Sequence, residues 1–143
     1  MATRSSWWGY LRRSLVPAAI LVFLALIAFV RFGHLMEKTR EGTTIGHLDE
    51  LRQAILLYYQ DHNGVFPREL SPEGPFGRYL REVPEVESLH PSDGAPSPAG
   101  NQVTYGTQTP EGYGRGWYYN YESGQIFVNS IGRDSRGVPY SSY

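Results

Sequence analysis

The pattern of apolar and polar positions divides the chain into successive parts. Residues 15–30 form an uninterrupted apolar run, LVPAAILVFLALIAFV, without a charged side chain. Residues 45–59 then repeat apolar positions at intervals of three and four, which is the period of an amphipathic helix. After Pro67, turn-forming residues and short aromatic segments replace both patterns. The chain is therefore predicted to hold an apolar helix, an amphipathic helix and a β-rich part, in that order.

The apolar run is long enough to cross a membrane once its flanks are included. A spanning helix needs about 20 residues, and the apolar character continues past Arg31, so we predict a transmembrane helix over residues 15–36. Pro17 would lie in the first turn of the span, where a missing N–H costs little. The alternative is a cleaved secretory signal peptide, which needs a small-x-small cleavage site. The sequence around Arg31 is a poor site of that kind and favours an anchor.

The charges that flank the run predict its orientation. Arg4, Arg12 and Arg13 precede it, and no acidic residue occurs among residues 1–14. Because cytoplasmic flanks are enriched in Lys and Arg, we predict that residues 1–14 are cytoplasmic. Residues 37–143 would then form one extracytoplasmic domain.

The amphipathic helix presents one apolar face to a core. This face consists of Ile45, Leu48, Leu51, Ile55, Tyr58 and Tyr59. Asp61-His62-Asn63-Gly64 is typical of a helix end. The segment between the two helices, residues 34–44, is largely polar but has no proline, so we predict one helix from about residue 12 to 62. A break near Gly42 is the alternative, because glycine lowers helix propensity.

Two aromatic and β-branched segments predict a hairpin. GWYYNY covers residues 116–121 and QIFVN covers residues 125–129, and a short Gly-containing connection joins them. Residues 103–105 are predicted to form a third strand, at the edge of the sheet. A lone hairpin is marginal in water, so it should pack on the helix face. The predicted fold class is α+β, with a long N-terminal transmembrane-plus-amphipathic helix packed against a small antiparallel sheet.

The remaining segments are predicted to be turns and loops. Residues 77–83 have the composition of a short helical turn that ends before a proline. Residues 88–101 are rich in Pro, Ser, Gly and Ala, which is typical of a surface loop. Gly112, Gly114 and Gly116 alternate, and we interpret them as a flexible loop.

Composition and charge narrow the chemistry. The net charge of −1 provides no basic field for nucleic acid, and the absence of cysteine excludes disulfides, cysteine zinc sites and thiol catalysis. No phosphate-binding loop, nucleophile elbow or H-E-x-x-H motif occurs. The histidines, His34, His47, His62 and His90, include no pair four residues apart. We therefore predict that the protein is not an enzyme and needs no cofactor.

Three motifs resemble those of a known family. LRQAILLYYQDHNGVFP covers residues 51–67, YLREVP covers residues 79–84 and GWYYNYESGQIFVNS covers residues 116–130. With the apolar helix before them, they make the chain resemble type IV pilins and type II secretion pseudopilins. The resemblance implies a pilin-like, pilus-related or secretion-system assembly subunit, anchored in the bacterial inner membrane with its domain in the periplasm. Its partners would be other pilin-like subunits or further copies of itself.

The resemblance also implies a processing site and an assembly contact. Pilins and pseudopilins are cut after a glycine, and a glutamate five residues further on pairs with a neighbour's new N-terminus. Here Gly9 and Tyr10 occupy the cleavage position, whereas Ser14 occupies the glutamate position. The chain would then be a divergent minor subunit or an uncleaved, pilin-derived anchor protein. Small residues that would let neighbouring helices approach are Ala18, Ala19, Ala25 and Ala28.

A calcium site is a further implication of the resemblance. Major pseudopilins bind the ion in a C-terminal loop, and SIGRDSRG at residues 130–137 places Asp134 at its first acid. No second acid follows in this chain, although Ca²⁺ prefers several oxygen ligands, including carboxylates. A simple turn closed by Gly132 and Gly137 is the alternative.

The aromatic cluster from Trp117 to Tyr121 supports a second function hypothesis. A single-pass anchor could display these rings as a binding module for a glycan or a peptide. An exposed Trp117 would support that hypothesis, and a buried Trp117 would count against it. Aromatic residues more often serve packing, which we favour here.

Overall fold

The structure, a computed structural model, describes residues 7–87 and 89–143, without the side chains of residues 7–14, 16 and 34. It contains helix α1 (Trp7–Asp61), strands β1 (Val103–Gly106), β2 (Tyr113–Asn120) and β3 (Ile126–Ser130), and two 3₁₀ turns at Pro75–Arg78 and Tyr140–Ser142. The fold class is α+β, as predicted. Two compact units are present: one ends at Met36 and the other comprises Glu37–Tyr143.

Helix α1 is a single helix of 55 residues. This confirms the prediction of one continuous helix over the alternative of a break near Gly42. The helix begins at Trp7, so Pro17 lies inside it and not in its first turn. Pro17 is still in the first turn of the span predicted over residues 15–36. The expectation that its missing N–H costs little was wrong, because the helix loses one internal hydrogen bond there.

One face of α1 in the Glu37–Tyr143 unit packs against the rest of that unit. Its buried and half-buried side chains alternate in steps of four and three: Glu37, Glu41, Thr44, Leu48, Leu51, Ile55 and Tyr58. Leu48 and Leu51 have no exposed surface. The predicted apolar face is confirmed, but it continues toward the N-terminus as a polar buried face. The sequence interpretation missed that extension.

The sheet has three strands in the order β1-β2-β3. Strands β2 and β3 form the predicted antiparallel hairpin, with Tyr119 opposite Ile126. Strand β1 pairs with β2 in parallel, with Val103 opposite Trp117. The sheet is therefore mixed, and the prediction of an antiparallel sheet was wrong for this edge. Residues 107–116 connect the two paired segments and return the chain to the starting end of the sheet, as parallel pairing requires.

Strand β2 begins earlier than predicted and contains two of the glycines assigned to a flexible loop. Gly116 has a φ of 67°, and the register with β3 shifts between Tyr113 and Trp117, which indicates a β-bulge. A Cβ atom on Gly116 would lie 2.1 Å from the carbonyl oxygen of Gln102. Glycine is needed here because the two backbones approach so closely. The loop interpretation of this segment was therefore wrong.

The core of this unit joins α1, the sheet and the segment between them. Leu51 and Ile55 of the helix and Trp117, Tyr119 and Val128 of the sheet belong to one buried cluster. The segment between the helix and the sheet adds Leu70, Phe76, Leu80, Val86 and Leu89. The expected packing of the hairpin on the helix face is thus confirmed, with a contribution from loops that the sequence interpretation did not assign to the core.

Two loop predictions need correction. The helical turn expected at residues 77–83 is a 3₁₀ turn at Pro75–Arg78. Pro75 begins this turn, as proline often does at a first helical position, and the turn ends well before Pro84. The surface loop expected at residues 88–101 buries Leu89 completely and forms an antiparallel bridge between Val86 and Gly100. A loop rich in proline can still pack when it carries a few apolar anchors.

Candidate functional site

The first candidate surface is the apolar part of α1. From Leu15 to Gly33, every described side chain is exposed in the single chain, and Phe29 is 82% exposed. Among the described residues, one helix is long and apolar enough to span a membrane, judged by length and composition. Exposing so much apolar surface to water is unfavourable. Lipid or other apolar helices are therefore the fitting environment for this segment.

The small residues predicted to mediate assembly lie on this surface. Ala18, Ala19, Ala25 and Ala28 are all exposed. Ala18 and Ala25 are about two helical turns apart and share one face, and Ala28 lies beside Ala25. Ala19 points about a quarter turn away from Ala18. The helix thus brings three of the four alanines together on one side.

The predicted processing site falls outside what the structure describes. Residues 1–6 are not described, and the side chains of residues 7–14, which include Tyr10 and Ser14, are not described either. Cleavage after Gly9, the assembly role of Ser14 and the cytoplasmic location of residues 1–14 therefore stay predictions.

The second candidate site is a polar cluster that ties loops to the first turns of α1 after Met36. Glu41 is only 7% exposed, and its carboxylate accepts hydrogen bonds from the backbone N–H and the hydroxyl of Ser135 at 2.7 and 2.8 Å. One turn earlier, Glu37 accepts a 2.7 Å hydrogen bond from the backbone N–H of His90. Hydrogen bonds from backbone N–H groups to carboxylates are charge-assisted and comparatively strong.

Thr44 completes this polar face. Its hydroxyl oxygen accepts a 3.1 Å hydrogen bond from the backbone N–H of Glu87, and Thr44 is fully buried. Two loop segments, one with Glu87 and His90 and the other with Ser135, are thus held by three helix side chains at four- and three-residue steps. The same spacing in Leu48, Leu51 and Ile55 was the sequence feature that could have revealed them, had it been extended toward the N-terminus.

Asp134 lies at the centre of the C-terminal loop and is completely buried. Its Oδ1 accepts hydrogen bonds from the backbone N–H groups of Arg136 and Val138, at 2.8 and 2.7 Å. Its Oδ2 accepts hydrogen bonds from the Arg136 guanidinium, at 2.9 Å, and from the Tyr143 hydroxyl. Both carboxylate oxygens are therefore occupied by donors.

These donors decide the ionisation of Asp134. Burial by itself would raise the pKa of Asp134, but the hydrogen bonds from Tyr143, Val138 and Arg136 outweigh it and lower the pKa to about 2. Burial and the hydrogen bond to Asp134 raise the pKa of the Tyr143 hydroxyl to about 12. At neutral pH the group is a carboxylate held by neutral donors and one guanidinium.

The arrangement around Asp134 bears on the predicted calcium site. Calcium would have to displace these four hydrogen bonds, one of them from the Arg136 guanidinium, before both oxygens were free to bind it. Among the described residues, no group of three or more His, Cys, Asp or Glu side chains could hold a metal ion. Gly137 has a φ of 81° and its N–H donates to the carbonyl of Asp134, which is the geometry of a tight turn. Calcium binding stays a prediction, and the contacts here are those of an internally neutralised turn.

The described histidines have separate local roles. His47 lies 2.8 Å from the backbone oxygen of Glu85 through Nδ1, which must carry the proton because a carbonyl only accepts. His62 stacks on Tyr58 with ring centroids 3.8 Å apart, at the end of α1. His90 contacts Glu37.

The aromatic cluster is used mainly for packing. Trp117 has no exposed surface, and its indole N–H donates a 2.6 Å hydrogen bond to the backbone oxygen of Pro84. Tyr119 is also fully buried and donates to the backbone oxygen of Pro67 at 2.9 Å. A buried Trp117 offers no ring to a ligand, and this counts against the hypothesis of a glycan- or peptide-binding module.

No family model, curated protein or solved structure matches this chain. A functional interpretation therefore depends on the chain's own residues, on the surfaces described above and on the resemblance of its motifs to pilin-like proteins.

Proposed function

We propose that this protein is a pilin-like or pseudopilin-like subunit of a type II secretion or type IV pilus-related machine. In this proposal the apolar part of α1 lies in the bacterial inner membrane, with the N-terminus in the cytoplasm. The Glu37–Tyr143 unit lies in the periplasm. Its role is structural, and its partners are other pilin-like subunits or further copies of itself.

The observation that carries the proposal is the exposed apolar stretch from Leu15 to Gly33 in a helix that continues into the core of a small α+β unit. The helix end, the following turn and the β2–β3 hairpin occur in the order that the resemblance to pilin-like proteins implies. A helix with apolar side chains all round is suited to lipid and to other helices.

The alanines of the apolar stretch support helix-to-helix association. Association inside a membrane gains little from the hydrophobic effect, so it depends on close packing, which small residues allow. Ala18, Ala25 and Ala28 form such a face. Ile27 lies on the opposite side of the helix, about half a turn from Ala25.

The N-terminus of the mature protein tests the proposal and separates its two forms. Mass spectrometry of the protein purified from membranes should find a chain that begins at Tyr10 or at Met1. Tyr10 would place it among processed filament subunits, and Met1 would make it an uncleaved anchor. A mature chain that begins after Val30 would overturn the proposal, because the apolar helix would then be a removed signal peptide.

Cross-linking tests the packing face directly. The chain has no cysteine, so Ala25→Cys and the matched control Ile27→Cys each introduce a single thiol in the apolar stretch. We expect Ala25→Cys to cross-link to another subunit in membranes several-fold more than Ile27→Cys. Equal yields would argue against the alanine face, and cross-linked partners unrelated to secretion or pili would argue against the proposed machine.

A further inference from the structure

Strand β1 lies at the edge of the sheet with part of its backbone facing away from β2. The N–H of Trp117 donates a 2.7 Å hydrogen bond to the backbone oxygen of Gln102, and Val103 lies opposite Trp117. In this parallel register, Thr104 bonds to β2, whereas Val103 and Tyr105 direct their N–H and C=O groups outward. In the described part of the chain, these outward groups have no hydrogen-bond partner.

This edge is accessible and unprotected. Of the two residues with outward groups, Tyr105 is 40% exposed and Val103 is half-buried, and the neighbouring Gln102 and Thr104 are exposed. Natural edge strands are usually guarded by charged residues, proline or a bulge. The strand is short, with four residues, but it contains no charged residue, proline or bulge, and no charged residue occurs between Asp93 and Glu111.

The opposite edge of the sheet differs. In strand β3, Ile126 is 1% exposed and Val128 has no exposed surface. The chain therefore covers one edge of its sheet and leaves the other open. Of the two edge strands, β3 is buried at these residues, whereas β1 is the accessible one.

The register of β1 is complementary to itself. The backbone N–H and C=O groups of Val103 and Tyr105 point away from β2, and those of Thr104 between them point toward β2. If two copies of β1 pair antiparallel about a two-fold axis at Thr104, Val103 of each copy lies opposite Tyr105 of the other. Both pairs are then hydrogen-bonded pairs, so all the outward groups of these residues are satisfied. The lack of charge also removes like-charge repulsion between the copies.

We propose that β1 pairs with β1 of a second copy, so that two sheets join into one six-stranded sheet across a symmetric dimer. The occupant is a second copy because the edge satisfies itself in one register and carries no charge that would select a foreign peptide. This inference does not depend on the pilin-like function, since it rests on the Glu37–Tyr143 unit alone.

Disulfide trapping of the full-length protein tests the register. At the two-fold axis, opposite residues of a non-hydrogen-bonded pair have Cα atoms about 4.5 Å apart, which a disulfide can bridge. Thr104→Cys should therefore give disulfide-linked dimers under mild oxidation in membranes. The matched control Thr107→Cys is also exposed, but its two copies would lie about 20 Å apart at roughly 3.3 Å per residue. We expect at least tenfold more dimer from Thr104→Cys.

A second variant removes one of the hydrogen bonds between the copies. Val103→Pro deletes an outward N–H and leaves the ladder to β2 intact, a position where edge strands tolerate proline. In the Thr104→Cys background it should reduce the disulfide yield to the level of Thr107→Cys, with the near-ultraviolet circular dichroism of the folded unit preserved. Equal yields from Thr104→Cys and Thr107→Cys would overturn the proposal, and so would an undiminished yield in a folded Val103→Pro variant. Cross-linking through Ala25→Cys is a separate measurement that reports on the helix face alone, so failure of either proposal can be told from failure of the other.

Discussion

Replacing Glu41 by alanine should destabilise the Glu37–Tyr143 unit more than any comparable change on the exposed face of α1. Glu41 is 7% exposed, and its carboxylate holds Ser135 through two hydrogen bonds of 2.7 and 2.8 Å. Their loss would release the C-terminal loop from the helix. The free energy of unfolding is the quantity that reports this effect.

The magnitude follows from the two contacts. A hydrogen bond to a charged group contributes about 1.5–3 kcal/mol. Ser135 is itself exposed, so water can replace part of what it loses. We therefore expect Glu41→Ala to lower the free energy of unfolding by about 2–4 kcal/mol, below the sum of two full contributions. Ser135→Ala should cost less, because the backbone N–H still binds Glu41.

The assay is guanidinium denaturation of the full chain in detergent, followed by the fluorescence of Trp117. The other two tryptophans, Trp7 and Trp8, are first replaced by phenylalanine so that the buried indole reports alone. The control is Glu50→Ala, at an exposed position of the same helix where the side chain makes no hydrogen bond or ion pair with the described residues. Its effect should stay within about 0.5 kcal/mol.

A double-mutant cycle separates the contact from general disruption. Once Glu41 is alanine, adding Ser135→Ala should change the stability by less than about 0.5 kcal/mol, because their shared hydrogen bond is already lost. Additive losses in the double variant, or a Glu41→Ala effect no larger than that of Glu50→Ala, would refute the reasoning.

Three further changes probe other contacts. The folded-state pKa of Asp134 is about 2, below its ordinary 3.8. Its ionised form therefore stabilises the fold above a pH of about 4, and this stabilisation is lost as the pH falls toward 2. Asp134→Asn should lower stability at pH 7 and flatten the acid transition measured by circular dichroism. Gly124→Ala should lower the free energy of unfolding by about 2–4 kcal/mol, because Gly124 has a φ of 72° and a Cβ would lie 2.2 Å from the Phe66 ring. Gly112→Ala, with open space around the residue, should leave that free energy nearly unchanged in the same denaturation assay. Leu51→Ala should cost about 2–5 kcal/mol, because it leaves a cavity in the core, and an unfolding midpoint equal to that of the parent protein would contradict the assigned helix face.

The helical part of the fold was largely predictable from the sequence. An apolar run and a repeat of apolar residues every three or four positions are local patterns. In a helix, the spacing of residues along the chain alone sets which face each side chain lies on. The β2–β3 hairpin was predictable for a similar reason, because a short Gly-containing connection between two aromatic segments favours an antiparallel hairpin. The polar extension of the helix face at Glu37, Glu41 and Thr44 was missed because burial of a glutamate is decided by donors far along the chain.

The candidate surfaces also include one that local sequence predicted and one that depends on distant contacts. Hydropathy was sufficient to predict that residues 15–36 form an apolar helix, since a long uncharged run needs no information from other parts of the chain. A match to a loop motif could place Asp134 in a turn, but it could not show that Tyr143 and Arg136 occupy its oxygens.

Local sequence patterns were sufficient to predict the long helix, its apolar stretch and the hairpin, because each depends on neighbours within a few turns or residues. The three-dimensional arrangement was needed to show that β1 runs parallel to β2, that its outer edge stays open and that buried carboxylates hold the loops. These features depend on pairings between distant segments, and such pairings are settled by packing and hydrogen bonding across the whole unit.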